Sequence, residues 1–386
     1  MSKNIDSYNY DDIRPVNDDE VSAAIEELIA CDGLEPALRY VLPSLDWEAL
    51  KATLRSCKTK KQFKSIISYN LVLTVIQSTA KSVTISGGER ITKEACTFIS
   101  NHRDIVLDAA LLNVLLHDIG HEMTQIAIGD NLLIYPWIRP FFRLNNSFFV
   151  KRGLAVREKL EASKKLSTYI HHTITETKDS VWIAQREGRA KDANDTTQTS
   201  VLKMLTMGGD SDILANLMSL NIVPIAISYE YDPCDYLKAQ EFQQKRDNPG
   251  FEKSRRDDLL NMEMGILNDK GRIHFTIANP INQTLKTLAN QTNKNELITD
   301  VAAMIDKEIY KHYRFYPCNY IAYDLLYDSK RFTANYTEQE FYDFQAYIQK
   351  QLYKIDIPGK DEPFLRSKIL EMYSNPLKNY LSVTEI

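Results

Sequence analysis

The stretch ACTFISNHRDIVLDAALLNVLL (residues 95–116) holds the two signals from which the fold is read. ACTFIS is an apolar run of strand length, and DIVLDAALLNVLL repeats its apolar residues at helical spacing. Between them stands a polar turn carrying His102, Arg103 and Asp104. Further apolar runs follow: TQIAIGD (124–130), SFFVKR (147–152), SVWIAQRE (180–187), IVPIAISYE (222–230) and RIHFTIANPI (272–281). The amphipathic segment REKLEASKKLSTYIHHTITE (157–176) lies between the third and fourth of the six runs. Strands alternating with helices predict an α/β fold, a mixed, partly parallel sheet flanked by helices. In such sheets ligands gather at the carboxyl ends of strands, and His102, Arg152 and Glu187 each follow an apolar run closely.

The flanks have a different texture. Val21, Ile25 and Leu28, then Leu34, Leu38 and Val41, then Trp47, Leu50 and Leu54 after Asp46 repeat at helical spacing. KQFKSIISYNLVLTVIQSTAKSV (61–83) extends this pattern, so an all-helical N-terminal region is expected to about residue 84, before Gly87 and Gly88. The predicted organisation is a helical region over 1–85, an α/β domain over 86–330 and a helical C-terminal tail over 331–386, packed on that domain. The segment QQKRDNPGFEKSRRDD (243–258) reads as a solvated loop, its cations interrupted by acids.

Bulk composition narrows the function. With 386 residues the chain is long enough for two packed units or one large domain with an accessory. A formal net charge of −5 gives no overall basic signature, so nucleic acid is not an expected partner. Five dispersed cysteines without a CxxC pair fit a reducing compartment and argue against a thiolate metal cage. The polar, acidic start MSKNIDSYNYDD is unlike a secretory signal, and no apolar run approaches membrane-spanning length. The expected location is cytoplasmic, peripheral at the inner face of the cell membrane.

His102 has three chemical openings: metal ligand, general base, or a polar residue at a helix entry. For a base, a nearby carboxylate must hold the second ring nitrogen and stabilise the imidazolium. Asp104 and Asp108 are both in reach, are four residues apart and share a helical face. His102 does not share that face with Asp108, so it belongs in the turn before the helix. Either acid is then open as the partner, and Asp104 also suits the helix cap. The metal opening draws on LLHDIGH (115–121), where His117, Asp118 and His121 resemble the centre of HD-type metal phosphohydrolases. The same residues also suit an ordinary helix end, with Gly120 as terminator.

Basic turns end two more strands. Lys151 and Arg152 follow SFFV, while Arg186, Glu187, Gly188, Arg189 and Lys191 follow SVWIAQ, a composition suited to holding phosphate. YPWIRPFFRL (135–144) interleaves aromatics with Arg139 and Arg143, fitting either a packed helix or a lipid-headgroup patch.

In this order the motifs resemble the glycerol-phosphate and lysophosphatidate acyltransferase family. SNHRDIVLD resembles its first block, GDNLLIYPWIRPFFRLNNSFFVKR its second, IAQREGRAKD its third and NIVPIAIS its fourth. The helical region ahead of an α/β domain is most similar in layout to soluble glycerol-3-phosphate acyltransferase. The resemblance implies His102 as general base, with Asp108 the expected partner in place of the family's aspartate and Asp104 the cap. It implies Arg152, Glu187, Gly188 and Arg189 on the phosphate of the acceptor, with Arg103, Lys151 and Arg186 as helpers. Pro224 is implied to be structural, lining the acyl or acceptor pocket. The implied reaction moves a fatty acyl group from acyl carrier protein or coenzyme A to glycerol-3-phosphate, without a metal or other cofactor. A lyso-lipid acceptor, either lysophosphatidate or an amino-acid lipid, is the alternative within the family. The familiar spacing puts Asp five positions after His, where this chain has Leu107.

Overall fold

The computed structural model describes residues 9–209 and 212–385. Part of the helical region expected over 1–85, and part of the acidic start, therefore lie outside the described residues.

Seven strands form one sheet: β1 (Ser82–Ser86), β2 (Thr97–Ser100), β3 (Gln125–Gly129), β4 (Ser147–Val150), β5 (Val181–Ala184), β6 (Ile222–Tyr229) and β7 (Arg272–Ile277). Their order is β1-β7-β6-β2-β5-β3-β4. Neighbours are parallel throughout, except that β7 runs antiparallel to β6. The sheet is mixed and mostly parallel with flanking helices, as the sequence pattern predicts. β2 lies centrally, paired with β5 through Phe98↔Trp182 and with β6 through Phe98↔Val223.

Alternate residues of these strands feed two separate cores. Ile99, Val181, Ile183, Ile222 and Ala226 face the helices Val156–His172, Thr199–Leu205 and Lys294–Lys311. Phe98, Trp182, Val223, Ile225 and Ile227 face the opposite way, onto the helix Leu107–Asp118. Side chains of a strand alternate in direction, so a run buried on both faces is continuously apolar; all eight residues of β6 are buried. Pro224 sits within β6, where it accepts from the Ala278 amide just beyond the last residue of β7. Its missing N–H falls where that ladder ends.

Two further cores complete the chain. The N-terminal helices Val21–Ile29, Leu34–Val41 and Trp47–Ser56 bury Val21, Ile25, Leu28 and Leu34 together with Leu144. At the other end, the helices Pro317–Leu326, Glu338–Tyr353 and Glu362–Thr384 close around Ile321, Phe344, Ile348 and Ile369. No helix among the described residues is long and apolar enough to cross a membrane.

Two local readings need correction. Residues 82–86 are strand β1 rather than the tail of a helix. Helical backbone over 60–79 ends at Thr79, and β1 is then claimed by its parallel partner β7. The segment 243–258 is mostly helical, because the helix Asp235–Asp247 ends within it and the helix Arg255–Leu267 starts within it. Ser254 caps the second helix by accepting from the Asp257 amide.

Candidate active site

Parallel strands β2, β3, β4 and β5 deliver their carboxyl ends to one edge of the sheet, and the polar turns open there. His102 lies two residues beyond β2, in the turn before the helix Leu107–Asp118. Its Nδ1 stands 2.8 Å from Asp108 Oδ2. The same oxygen accepts the backbone N–H of Arg103 at 2.6 Å and of Asp104 at 3.0 Å. Three donors on one oxygen leave the carboxylate, and through it the imidazole, little freedom. Trp182 of β5 meets the imidazole edge-on, with ring centroids 5.7 Å apart.

Asp104 has a different task. Its Oδ1 accepts from Val106 and Leu107 at 2.9 and 2.7 Å, tying off the first turn of the helix. Burial, reinforced by the charge of Asp108, pushes the Asp104 carboxyl above its ordinary pKa. Gly265 makes this position possible: a Cβ there would lie 2.1 Å from Asp104 Oδ2. Tyr229, at the end of β6, is buried beside the same pair of acids. Burial, with Asp108 and Asp104 nearby, holds its hydroxyl well above the usual phenol range.

The basic turns join from neighbouring strands. Arg152 after β4 reaches the turn after β5 and pairs with Glu187 at 2.5 Å, while its amide donates to Asp130 after β3. Glu187 is exposed, and its amide donates to Gln198. Gly188 turns the chain with φ +69°, a backbone region open to glycine at little cost. Arg189 donates to Asn261 at 2.9 Å, and its Nη1, like Arg186 Nε, has no hydrogen-bond partner among the described residues. Lys151 lies over Asp12 at 2.5 Å.

His102, Lys151, Arg152, Arg186, Glu187, Gly188 and Arg189 all border one cavity of about 1000 Å3. Arg103 does not join them. Its guanidinium points into the protein and grips both oxygens of Asp195, at 2.9 and 2.5 Å, beside the Tyr313 hydroxyl. Pro224 is likewise absent from the cavity wall, being committed to the sheet.

Two cations of the cavity wall had weaker sequence signals. Lys191 contacts buried Glu241, and burial still pulls its ammonium down to about 8. Lys253 spans Glu241 and Asp258 at 3.6 and 3.0 Å. Its place in a mixed charge run resembles a solvated loop, yet the start of the helix Arg255–Leu267 carries it to the cavity.

Away from the polar edge the cavity becomes apolar. Val72 and Val75 come from the helix Tyr69–Thr79, Val106 and Ala110 from around the start of the helix Leu107–Asp118, and Ile138 and Phe141 from the helix Ile138–Leu144. YPWIRPFFRL is thus a packed helix whose aromatic face looks inward; Arg139 lies over the Phe149 ring, 4.9 Å from its centre.

The alternative metal centre is not assembled. His117 is ten residues along the helix from Leu107, which places it roughly 15 Å from the His102 turn at 1.5 Å per residue. His117 instead packs edge-on against Tyr69, whose hydroxyl donates to Asp118 at 2.7 Å. No group of three or more His, Cys, Asp or Glu side chains suited to a metal ion occurs among the described residues.

A comparison of the sequence with curated proteins finds no match. Among solved structures, the chain is similar to the 1-acyl-sn-glycerophosphate (LPA) acyltransferase PlsC from Thermotoga maritima. The identity is 9%, over 77% of this chain and 96% of that one, with a TM-score of 0.38. Residues 82–228 match the acyltransferase family, a span that starts with β1 and takes in β6 to its penultimate residue. The matched span holds His102, Arg152 and Glu187.

Proposed function

We propose that the protein is a lipid O-acyltransferase that moves a fatty acyl group from a thioester to a hydroxyl of glycerol-3-phosphate. The observation that carries this reading is the pairing of His102 with Asp108 at the mouth of a cavity that is cationic at one end and apolar beyond.

Nδ1 of His102, held by Asp108, leaves Nε2 as the basic nitrogen. Nε2 takes the proton from the acceptor hydroxyl as its oxygen attacks the thioester carbonyl. The C–O bond forms, the C–S bond breaks, and the departing thiolate collects the proton from the imidazolium. No covalent enzyme intermediate, metal or other cofactor is needed for this balance. Arg152, Arg186 and Arg189, with Lys151 and Lys191, supply charge for the phosphate of the acceptor. The apolar wall accommodates the acyl chain. Acyl carrier protein and coenzyme A both present a suitable thioester.

A lyso-lipid acceptor is the second reading. About 1000 Å3 is at the top of the range for small-molecule sites, which favours room for a second chain. A lipid product also calls for contact with a membrane surface. Val156 and Leu160 stand exposed beside Arg157 and Lys164 on the helix Val156–His172, a combination suited to an anionic bilayer.

The test is an assay of the purified protein with acyl carrier protein and coenzyme A thioesters against glycerol-3-phosphate and several lyso-lipids. Ester formation that disappears in His102→Ala is expected. Full turnover in that variant would remove the general base, and no ester from any pairing would remove the reading itself.

A further inference from the structure

The cavity does not end as it should if it held only hydrocarbon. The N-terminal helical segment 60–79 contains a π-helical stretch, Phe63–Ser68, which puts an extra residue into the helical turn. Lys64 and Ser68 of that stretch both border the cavity, and so do Asn113, Asn145 and Ser147. These residues sit at the opposite edge of the sheet from His102. Ser147 opens β4, while Arg152 lies five residues further on, beyond its other end; at ~3.3 Å per residue the two are roughly 16 Å apart.

Most of these polar groups are occupied. Ser68 is bound to Asn145, Asn145 also donates to the Phe141 carbonyl, and Asn113 is bound to Thr124. Two are not. Ser147 Oγ is buried with no hydrogen-bond partner among the described residues. Lys64 is 9% exposed, has the charges of Asp179 and Glu122 nearby but no ion pair with either, and its one hydrogen bond among the described residues is to the Met123 carbonyl at 3.4 Å. A buried ammonium with a single long neutral contact is costly, and a buried hydroxyl without a partner adds to that cost. A plain methyl terminus beside them would remove water and give neither a partner.

We propose that Lys64 and Ser147 form a second, polar subsite at the far end of the apolar channel, receiving a carboxylate carried on the distal end of an acyl chain. The proposal rests on the acyl-transfer reading for the identity of the chain. A distal carboxylate gives the ammonium its missing counter-charge and accepts from the Ser147 hydroxyl, while the methylene run between the two ends occupies the apolar wall. Burial now holds the Lys64 ammonium down at about 8, with the charge of Asp179 only partly opposing it. Ion pairing would restore the ordinary lysine range.

Binding separates this proposal from catalysis. A fluorescent fatty acid bound to the full chain is displaced by plain fatty acids and by α,ω-dicarboxylic acids of equal length. The wild-type protein is expected to favour the diacid at least tenfold, and Lys64→Met to reverse that order. Lys64→Met buries a neutral chain of similar length, so its fold is checked by a melting transition no lower than that of wild type; Ser147→Ala should narrow the preference without inverting it. Equal or weaker binding of the diacid to wild type overturns the proposal, as does a preference that survives Lys64→Met. If neither chain displaces the probe while ordinary thioesters are turned over, the subsite fails and the acyl-transfer reading stands. If the diacid preference appears without ester formation, the subsite stands and the acyl-transfer reading fails.

Discussion

Asp108 Oδ2 lies 2.8 Å from His102 Nδ1 and at the same time accepts the backbone amides of Arg103 and Asp104. One oxygen thus sets both the shape of the turn and the direction of the imidazole. Asp108→Asn keeps the size of the side chain but can present an amide donor to Nδ1. It is expected to retain the fold and to lose about a thousandfold or more in kcat, with His102→Ala at least as severe. Steady-state kinetics beside a melting curve separates the two effects. Loss of activity on Asp104→Asn alone, with Asp108→Asn active, would reverse the roles given to the two acids.

Arg152 and Arg189 are expected to act through binding. Removing either charge-assisted contact to a phosphate should raise the acceptor KM by roughly 10- to 100-fold, with a smaller change in kcat. The check is kinetics with the acceptor varied at saturating thioester; an unchanged KM in both variants means the phosphate sits elsewhere.

Gly265→Ala should injure the site from behind. The added methyl would lie 2.1 Å from Asp104 Oδ2, so either the helix Arg255–Leu267 or the Asp104 turn has to move. A loss of about 1–3 kcal/mol in chemical denaturation is expected, together with reduced turnover. Stability equal to wild type would show that the helix yields freely.

The pair Arg103–Asp195 is buried on both sides, at 5% and 0% exposure. Breaking it leaves an uncompensated charge, so Asp195→Ala should cost about 3–5 kcal/mol in denaturant titrations. Replacing both partners by apolar residues should cost less than either single change. A larger loss in the double variant than in the singles contradicts this account.

Asp306 gives a pH signature. Burial raises its carboxyl to about 6, although Thr197 donates to it through both backbone and hydroxyl. A folded pKa above the unfolded value of 3.8 means that the folded chain holds the proton more tightly. The resulting stability is present below about pH 4 and is lost as pH rises through 6. Asp306→Asn keeps the acceptor oxygen for Thr197. It should melt above wild type at pH 7.5, by up to about 3 kcal/mol, with the gap closing towards pH 4. A gap independent of pH would assign the effect to packing instead.

Local pattern made the central sheet and the His102 turn legible. Strand-length apolar runs end in polar turns at β2, β4 and β5, and the six-residue spacing from His102 to Asp108 requires the histidine to precede the helix. What escaped depends on partners distant in sequence. SVTIS has alternating exposure and follows a Leu- and Val-rich helix without a break, so only pairing with β7 reveals it as a strand. Arg103 stands beside the histidine and resembles a substrate contact, yet its counter-charge is Asp195, 92 residues away. The apolar side chains of the N-terminal helices look the same in sequence whether they fill a core or wall a cavity. Lys64 carries no periodic signal at all; its meaning comes from the π-helical stretch that turns it inward.

The reversal of β7 also sets the order in which the molecule can be finished. In the sheet β1 pairs only with β7, with Thr84 and His274 190 residues apart in sequence. Until residue 277 has left the ribosome, β1 lacks its strand partner, and the helices that lead into it are held only by contacts such as Tyr69 to Asp118 and Ser68 to Asn145. Those helices form part of the apolar wall of the cavity. The central strands can pair earlier in synthesis, so a nascent chain exposes a greasy, half-walled trough until its last strand arrives. A truncation ahead of residue 272 leaves β1 and the wall leading into it without that strand partner.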